Sequence, residues 1–440
     1  MAALTADPGY RTPRSSVRDG TRLVVQTWLF TRLLLVGVAL WVGVTTGRSA
    51  NDMLANWDVQ HYFGIATNGY TAANDIAFFP GWPLVLRGLH LVGVPLLVAG
   101  VALAVVCSAL AAAALYRLGG AAAAVVWLLA ATTVFTIVPY TEAPFCAAAF
   151  WAWERAKAGR WGAAATLAAV ACTIRVSGLF LLGALVILAL TEAGRPKPTP
   201  APSWAGVPVP EPGSISVWGR ATASVRSWFD RLSGRPSHWP ADHTRSATPL
   251  RERARVLTRD GRVRALAWLS IPALTLLAYM AYLYNLTGDW NAWYRAQSAG
   301  WPRGFTWPWV ALKHTLDAAT SKAYPAFPEW SWVFRAELAS MAIGVLVTVI
   351  CLRRKRWAEA FWVGIQVLAF SCSYWYLSVN RAVLLWFPLF VLIGEALSGG
   401  WNVSPTRRRA RALLTAAAFL VASVALCWWA WLFFTGRWAS

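Results

Sequence analysis

Charged side chains are scarce in this sequence. Asp, Glu, Lys and Arg together make up 13% of its 440 residues, about half of the fraction that soluble domains carry. Hydrophobic residues account for 58%, and several uninterrupted apolar runs exceed the roughly 18 residues that indicate a transmembrane helix. The scarcity of charge therefore excludes a soluble globular domain and predicts an all-α integral membrane protein with many spans.

Paired cysteines and closely spaced aspartates are also lacking. The sequence has no C-x-x-C pair and no Asp-x-Asp motif. Neither a disulfide framework nor a zinc site is expected, and nothing suggests a divalent metal ion that holds a nucleotide diphosphate. We expect no metal and no cofactor. The six cysteines lie in or beside apolar runs, at Cys107, Cys146, Cys172, Cys351, Cys372 and Cys427.

Acidic residues are few compared with basic ones, 19 against 40, which gives a net charge of +21. The basic residues collect in short blocks between apolar runs, as the positive-inside rule predicts for cytoplasmic loops. Some of these loops are expected to touch anionic lipid headgroups. The distribution of charge thus argues against a nucleic-acid partner and indicates a multi-pass protein of the plasma membrane whose partner is the lipid bilayer.

Basic blocks orient the first half of the chain. A tail of residues 1–22 with four arginines is assigned to the cytoplasm, and an N-terminal membrane module covers residues 23–193. The segment 45–94 is then external. Residues 161–193 are long for one span and short for two, and we predict two short or tilted helices that meet near Arg175, because the next loop must be cytoplasmic. The other spans predicted here are 23–44, 95–116, 120–138 and 142–156.

A long basic loop separates the two halves of the chain. Residues 194–264 hold 13 Lys and Arg against 5 Asp and Glu, and this Pro- and Ser-rich loop is predicted to be cytoplasmic and partly disordered. The C-terminal membrane module covers 265–440. Its segment 286–333 holds seven tryptophans and is predicted to be an external layer at the membrane interface. The spans predicted in this module are 265–285, 334–352, 357–377, 383–398 and 412–434, which brings the total to about eleven.

The most informative polar segment follows the first span. Asp58, His61 and Tyr62 lie at positions i, i+3 and i+4, so they share a face if the segment is helical. Ionisable side chains held against a membrane are costly and are usually functional, and a carboxylate there can serve as a general base. The alternative is that Asp58 caps a short interfacial helix while His61 binds nearby backbone. Spacing alone leaves both interpretations open.

Further polar residues are predicted at the same membrane face. Glu142 follows an external hairpin, where it is either functional or a carboxylate favoured by the helix dipole. Arg175 lies between apolar stretches, and Arg381 lies at the outer end of a late loop. Either guanidinium can bind a phosphate or act as a snorkelling anchor or an ion-pair partner. Lys313 and His314 in the Trp-rich segment are weaker candidates.

These segments resemble a known family. NWDVQHYFGIATNGY followed by AFFPGWPL resembles the pattern WD-x-x-H-[YF]-x-x-I-A-x-x-G-Y and A-F-F-P-x-x-P of the PIG-V mannosyltransferases, which belong to the C-type superfamily of polytopic glycosyltransferases. PYTEAPF resembles the family's Y-[ST]-E segment, TIRVSGL its T-R-x-x-G-x segment, and NRAVLLWFPLF its late arginine-containing segment. The likeness runs in order over most of the chain, except for residues 194–264.

The resemblance implies a function. It implies the C-type glycosyltransferase fold, polyprenyl phosphate mannose as the donor, and inverting transfer to a glycolipid or another cell-envelope acceptor on the external face. The family's catalytic acidic residue maps onto Asp58. His61, Tyr62, Glu142, Arg175, Arg381 and His314 are then the candidate substrate-binding residues. The composition, rich in Trp, Arg and Ala, is typical of a high-GC actinobacterium.

The residues suit this chemistry, because a sugar phosphoester already carries a good leaving group. One base for the acceptor hydroxyl and cations for the departing phosphate suffice, unlike the two carboxylates that a glycosidase needs. The alternative of another class is a lipid or solute transporter with Asp58 and Arg175 along its path. A transporter should show mid-membrane ionisable residues and matching broken spans, and we find no inverted sequence repeat. A membrane scaffold is a third possibility, which would need no clustered Asp, Glu and Arg.

Overall fold

The computed structural model describes residues 13–193, 250–301, 304–398 and 405–439. The chain forms two units, of which the first comprises residues 1–193 and 262–440 and the second residues 194–261. Every site discussed below lies in the first unit. Residues 1–12 of the predicted cytoplasmic tail and 194–249 of the predicted loop lie outside the described residues. Residues 13–22 of the tail already belong to a helix, and residues 250–264 are helical and not a loop.

The described residues are almost entirely helical and form no β-sheet; a single bridge joins Phe305 and Ser373. Short 3-10 helices occupy Ala73–Ala77, Ala131–Thr136 and Val383–Leu385. The α-helices in chain order are α1 Pro13–Thr46, α2 Ala50–Leu54, α3 Asp58–Asn68, α4 Gly81–Leu91, α5 Leu96–Leu128, α6 Glu142–Lys157, α7 Trp161–Ile174, α8 Ser177–Glu192, α9 Leu250–Thr287, α10 Ala292–Gly300, α11 Pro308–Ala318, α12 Pro328–Arg353, α13 Trp357–Ser371, α14 Val379–Ala382, α15 Phe387–Ser398 and α16 Pro405–Phe434.

Five helical segments in the described part of the chain are long and apolar enough to cross a membrane. A sixth candidate is the pair Val379–Leu385 and Phe387–Leu397, which is bent by 65°. This confirms an all-helical protein with several candidate membrane spans. The five segments are Arg18–Thr46, Leu96–Leu128, Gly261–Thr287, Pro328–Arg353 and Leu413–Phe434. The other predicted spans coincide with shorter helices, so length and composition alone do not yield eleven.

Helix α5 departs from the predicted boundaries. It runs through the sites of two predicted spans, 95–116 and 120–138, as two helical segments that meet at a kink at Gly120 (φ 78°). A positive φ at this point favours glycine. The second segment ends at Leu128, and the 3-10 helix Ala131–Thr136 follows. The span predicted for 120–138 is therefore a short helical arm and a 3-10 turn.

The segment 161–193 forms two short helices, as predicted. Helix α7 ends at Ile174, Arg175 is extended (φ −151°, ψ 154°), and α8 begins at Ser177. The two helices approach closely at this break. A Cβ atom at Gly178 would lie 2.5 Å from the Cα atom of Cys172, so only glycine leaves room for this approach. Arg175 therefore lies at a break between helices, where its side chain is not packed along a helix surface.

Helices α5 and α15 cross closely in the core. A Cβ atom on Gly394 would lie 2.6 Å from the carbonyl oxygen of Gly119, so the two backbones approach through glycine, as in many packed membrane helices. The surrounding core is rich in aromatic residues, with Trp127, Trp362 and Trp386 fully buried. This crossing fixes the rigid bundle against which the polar segments are placed.

The two segments predicted to be external consist of short helices. Residues 45–94 contain α2, α3, the 3-10 helix Ala73–Ala77 and α4, while 286–333 contains α10 and α11. Helix α10 packs on that 3-10 helix. Trp307 and Trp309 stack at 5.1 Å and are more than half exposed. The site lies where these short helices meet the bundle.

Candidate active site

Asp58 begins helix α3, directly after a strained residue. Trp57 has φ 56° and ψ −121°, values that a residue with a side chain adopts at a cost of order 1–3 kcal/mol and that are often found at functional sites. The amide of Asp58 donates to the Tyr140 hydroxyl at 3.4 Å, and Asp58 Oδ2 accepts from Arg381 Nη1 at 2.8 Å. Among the described residues, Asp58 Oδ1 has no hydrogen-bond partner, so one carboxylate oxygen is fixed and the other is open.

Arg381 lies in the short helix α14 and is largely buried, with its side chain 13% exposed. Its guanidinium carbon is 5.4 Å from the centre of the Tyr140 ring and 5.7 Å from that of Phe135, so aromatic faces add to its stabilisation. Arg381 Nε lies 3.7 Å from Glu142 Oε1. Arg381 therefore forms an ion pair with Asp58, which is one of the alternative roles expected for this arginine.

Glu142 is the first residue of α6 and is fully buried. Its Oε1 atom accepts from Arg175 Nη1 at 2.5 Å, and the same Nη1 also donates to Thr141 Oγ1 at 2.9 Å. The helix dipole favours a carboxylate at this position, but burial of a charge also requires paired partners. Glu142 therefore holds Arg175 on one side and approaches Arg381 on the other.

The four charged residues form a connected row in the order Asp58, Arg381, Glu142, Arg175. Two negative and two positive charges balance within this row. Three of its members, Asp58, Arg381 and Arg175, line a pocket of about 110 Å³. Arg175 is the more exposed arginine, at 20%, and its Nε and Nη2 have no hydrogen-bond partner within the described part of the chain. The pocket thus offers an open carboxylate oxygen and an open guanidinium edge.

Tyr62 also lines the pocket. Its hydroxyl shares a hydrogen bond of 3.3 Å with Thr141 Oγ1. Burial raises the pKa of the Tyr62 phenol well above its ordinary value, and the negative charges of Asp58 and Glu142 add to the rise. The phenol therefore stays neutral and can act as a hydrogen-bond donor.

His61 is one residue away from Tyr62 but does not line the pocket. Its ring stacks on Phe78 at 4.7 Å, and its Nδ1 pairs with Asp75 Oδ1 at 2.9 Å. Asp75 is buried, and its other oxygen accepts from the amide of Ala72. His61 therefore packs on Phe78, which lines the pocket, and it links α3 to the 3-10 helix Ala73–Ala77.

The weaker candidates of the Trp-rich segment lie elsewhere. His314 in α11 pairs through Nδ1 with the carbonyl of Tyr374 at 2.9 Å and packs on that ring at 4.2 Å. Neither His314 nor Lys313 lines the pocket. From this segment the structure instead brings Trp293, Gln297 and Trp301 to the pocket.

Sequence reasoning missed the residues that position Arg381. Glu337 in α12 is fully buried, and its carboxylate accepts from the amides of Ser378 and Asn380 at 3.0 and 2.9 Å. Trp127 Nε1 donates to the carbonyl of Leu384, on the other side of Arg381, at 2.9 Å. An acidic residue inside a predicted span, such as Glu337, is a signal that could have been used.

Fold and site together define an all-helical membrane protein with a charged pocket beside its short helices. In the described residues, no three His, Cys, Asp or Glu side chains are grouped to hold a metal ion. No protein-family model matches the chain, and no solved structure matches it.

Curated proteins do match part of the chain. GPI alpha-1,6-mannosyltransferase 2 of Mus musculus and of Rattus norvegicus are each 34% identical to it over 152 residues, and the Homo sapiens protein is 33% identical over the same length. The match covers 30% of this chain, and this chain spans 31%, about a third, of the length of these relatives. The chain is therefore a partial homologue of a GPI mannosyltransferase, which supports the resemblance to the PIG-V family.

Proposed function

We propose that this protein is a membrane mannosyltransferase that moves mannose from polyprenyl phosphate mannose to a glycolipid acceptor of the cell envelope. The observation that carries the proposal is the row Asp58–Arg381–Glu142–Arg175, which places an open carboxylate and an open guanidinium in one pocket. The partial homology to proteins named mannosyltransferases supports the same class.

In the proposed reaction Asp58 is the general base. Its Oδ1 atom takes the proton of the acceptor hydroxyl while that oxygen attacks C1 of mannose. The bond between C1 and the phosphate oxygen breaks, and the phosphate leaves with the electron pair as polyprenyl phosphate. Attack from the side opposite the phosphate inverts the anomeric centre. Such a base contributes roughly 10²–10⁴ in rate.

The two arginines have different roles in this proposal. Arg381 donates to Asp58 Oδ2 at 2.8 Å and orients the carboxylate. Arg175 uses only Nη1 for Glu142 and Thr141, so its other nitrogens can bind the phosphate. The phosphate gains one negative charge as it leaves, and a pre-placed guanidinium stabilises that charge where water is excluded.

The proposed side of the membrane is supported by a second cluster of charges, here called the ion-pair layer, at the other end of the bundle. Helix α6 starts at Glu142 in the site and ends at Lys157. Helix α8 starts two residues after Arg175 and ends at Glu192. Each helix has 16 residues and is about 24 Å long, so its two ends are far apart. The ion pairs of this layer include Arg117–Glu154, Lys157–Glu192 and Arg354–Glu395, at 2.7, 2.8 and 2.8 Å.

The ion-pair layer contains the basic block 353–356, which the positive-inside rule assigns to the cytoplasm. The site at the opposite helix ends is therefore proposed to be extracytoplasmic, at the plasma membrane. The chain also runs from Arg117 in the layer to Tyr140 in the site, which supports a crossing by residues 120–138. With α6, α7 and α8 as short crossings, the proposed count of eleven spans is retained.

The test is a transfer assay with purified protein in lipid nanodiscs. Polyprenyl phosphate mannose and a cell-envelope glycolipid extract are supplied, and mannosylated lipid is measured for wild type and for Asp58→Asn. Wild type should form product, and Asp58→Asn should lose roughly two to four orders of magnitude in turnover. Donor binding should change little, because the phosphate is assigned to Arg175.

A transporter gives a different result. It would move the mannosyl lipid between leaflets of a vesicle without transferring the sugar, so the same purified protein is also reconstituted into closed vesicles and assayed for translocation. Movement without product in wild type would support the transporter. A folded Asp58→Asn protein with wild-type turnover would remove Asp58 from the mechanism.

A further inference from the structure

Part of the pocket lining, here called the aromatic wall, consists of aromatic side chains. Phe78, Trp293 and Trp301 form it. Phe78 is held on several sides, because His61 stacks on it at 4.7 Å while Tyr62 and Trp301 meet it in edge geometry at 5.2 and 5.4 Å. Phe78 is therefore buried and packed on several sides, whereas the indole rings of Trp293 and Trp301 are only partly buried.

The two indoles of this wall differ in their hydrogen bonding. Trp293 Nε1 donates to the carbonyl of Ala77 at 3.1 Å, and Gln297 donates to the same carbonyl at 3.1 Å. These bonds fix helix α10 on the segment that ends in Phe78. Trp301 Nε1 has no hydrogen-bond partner among the residues that the structure describes. Trp293 is thus a structural part of the wall, whereas Trp301 lines the pocket and keeps an indole N–H that no described residue uses.

We propose that Trp301 is the platform for the pyranose ring of the donor, with its indole N–H donating to a sugar hydroxyl. This inference rests on the proposed function. A pyranose has an apolar face of C–H groups and a rim of hydroxyls, and an aromatic face with a polar handle matches both. Binding pockets commonly combine an apolar wall with a few placed polar groups in this way.

The donor sugar fits this position better than the acceptor sugar. The phosphate site at Arg175 and the base Asp58 line the same small pocket as Trp301. The donor sugar carries the reacting carbon C1, which must lie between the phosphate site and the acceptor hydroxyl at the base. The acceptor needs only to bring one hydroxyl to Asp58, and the rest of it can remain outside.

The experiment compares two ligands that differ only in the sugar. Binding of polyprenyl phosphate mannose and of sugar-free polyprenyl phosphate is measured for wild type, Trp301→Ala and Trp301→Phe. Wild type should bind the mannosyl lipid more tightly. Trp301→Ala should lose about tenfold in affinity for the mannosyl lipid and little for the sugar-free lipid. Trp301→Phe keeps a ring and should lose a few fold through the missing N–H.

The matched control is Trp309→Ala, which removes a more exposed tryptophan from the same Trp-rich segment, outside the pocket. It should leave both affinities unchanged. An equal loss for both lipids in the Trp301 variants would overturn the platform. A raised KM for the acceptor with unchanged donor affinity would assign Trp301 to the acceptor sugar. Failure of wild type to bind either lipid would instead contradict the proposed function.

Discussion

Arg381 Nη1 donates to Asp58 Oδ2 at 2.8 Å, although the two residues are 323 positions apart in the sequence. Both side chains are largely buried, at 13% and 14% exposure. A buried ion pair contributes little net stability when both partners are present, but removal of one partner is strongly destabilising because the other charge is left uncompensated. The pair therefore links the proposed base to the stability of the bundle.

The first prediction concerns this pair. Arg381→Gln should lower both the melting temperature and the turnover, because it leaves Asp58 as a buried charge without a cation. The loss of stability should be about 3–5 kcal/mol at most. The double variant Asp58→Asn/Arg381→Gln should recover much of the melting temperature and none of the turnover. Thermal unfolding in detergent and the transfer assay measure the two effects. A double variant that is as unstable as Arg381→Gln would argue that Arg381 acts through other contacts.

The second prediction concerns Arg175. Arg175→Ala should weaken use of the donor by a few kcal/mol, as expected for the loss of a charged hydrogen bond to the phosphate. Arg175→Lys should rescue poorly, since an ammonium lacks the planar fork. The measurement is the donor KM and the turnover of each variant. Wild-type values for Arg175→Ala would make this residue a structural anchor for Glu142.

The third prediction concerns Glu142, the buried carboxylate between two arginines. Glu142→Gln should destabilise the fold by several kcal/mol, because Arg175 loses its carboxylate partner in a buried place. The matched control is Glu192→Gln, whose partner Lys157 lies 2.8 Å away in a half-exposed ion pair. That change should cost no more than about 1 kcal/mol. Equal shifts in melting temperature for the two variants would contradict the assigned role of burial.

The fourth prediction concerns Glu337, which does not touch the pocket. Glu337→Gln replaces one of two acceptor oxygens by an amide donor, so the amide of Ser378 or of Asn380 is left without an acceptor. Each unsatisfied buried group costs about 1–3 kcal/mol, and Arg381 should lose its position. We expect reduced stability and a reduced kcat with nearly unchanged donor KM. A raised donor KM at wild-type kcat would show that Glu337 does not act through Arg381.

The fifth prediction concerns sidedness. A cysteine in place of Asn291 should react with a membrane-impermeant thiol reagent added to intact cells, and one in place of Ser237 should react only after permeabilisation. The positive-inside rule supplies the reason, since residues 194–264 carry 13 Lys and Arg against 5 Asp and Glu. Unsubstituted protein is labelled in parallel because it has six cysteines. Labelling of Ser237→Cys from outside would reverse the proposed orientation of the active site.

Local chemistry in the sequence is sufficient for the class of the protein and for its first candidate site residue. Apolar runs can cross a membrane only as helices or closed barrels, because backbone groups need partners in lipid, and runs of about 20 residues indicate helices. Asp58 was identifiable because an ionisable group beside such runs is costly. The break near Arg175 was predicted from the length of 161–193 together with the requirement that the next loop be cytoplasmic, and the structure has it between α7 and α8.

Tertiary structure decided which of the candidates meet. His61 and Tyr62 share the face of α3 that holds Asp58, yet only Tyr62 lines the pocket, because Asp75 holds the His61 ring against Phe78. Helical spacing in the sequence predicts which residues share a face of a helix, but it does not predict which other residues pack against that face. The partner of Asp58 is equally hidden in the sequence, because the contact with Arg381 depends on the packing of helices hundreds of residues apart and leaves no local pattern in either segment.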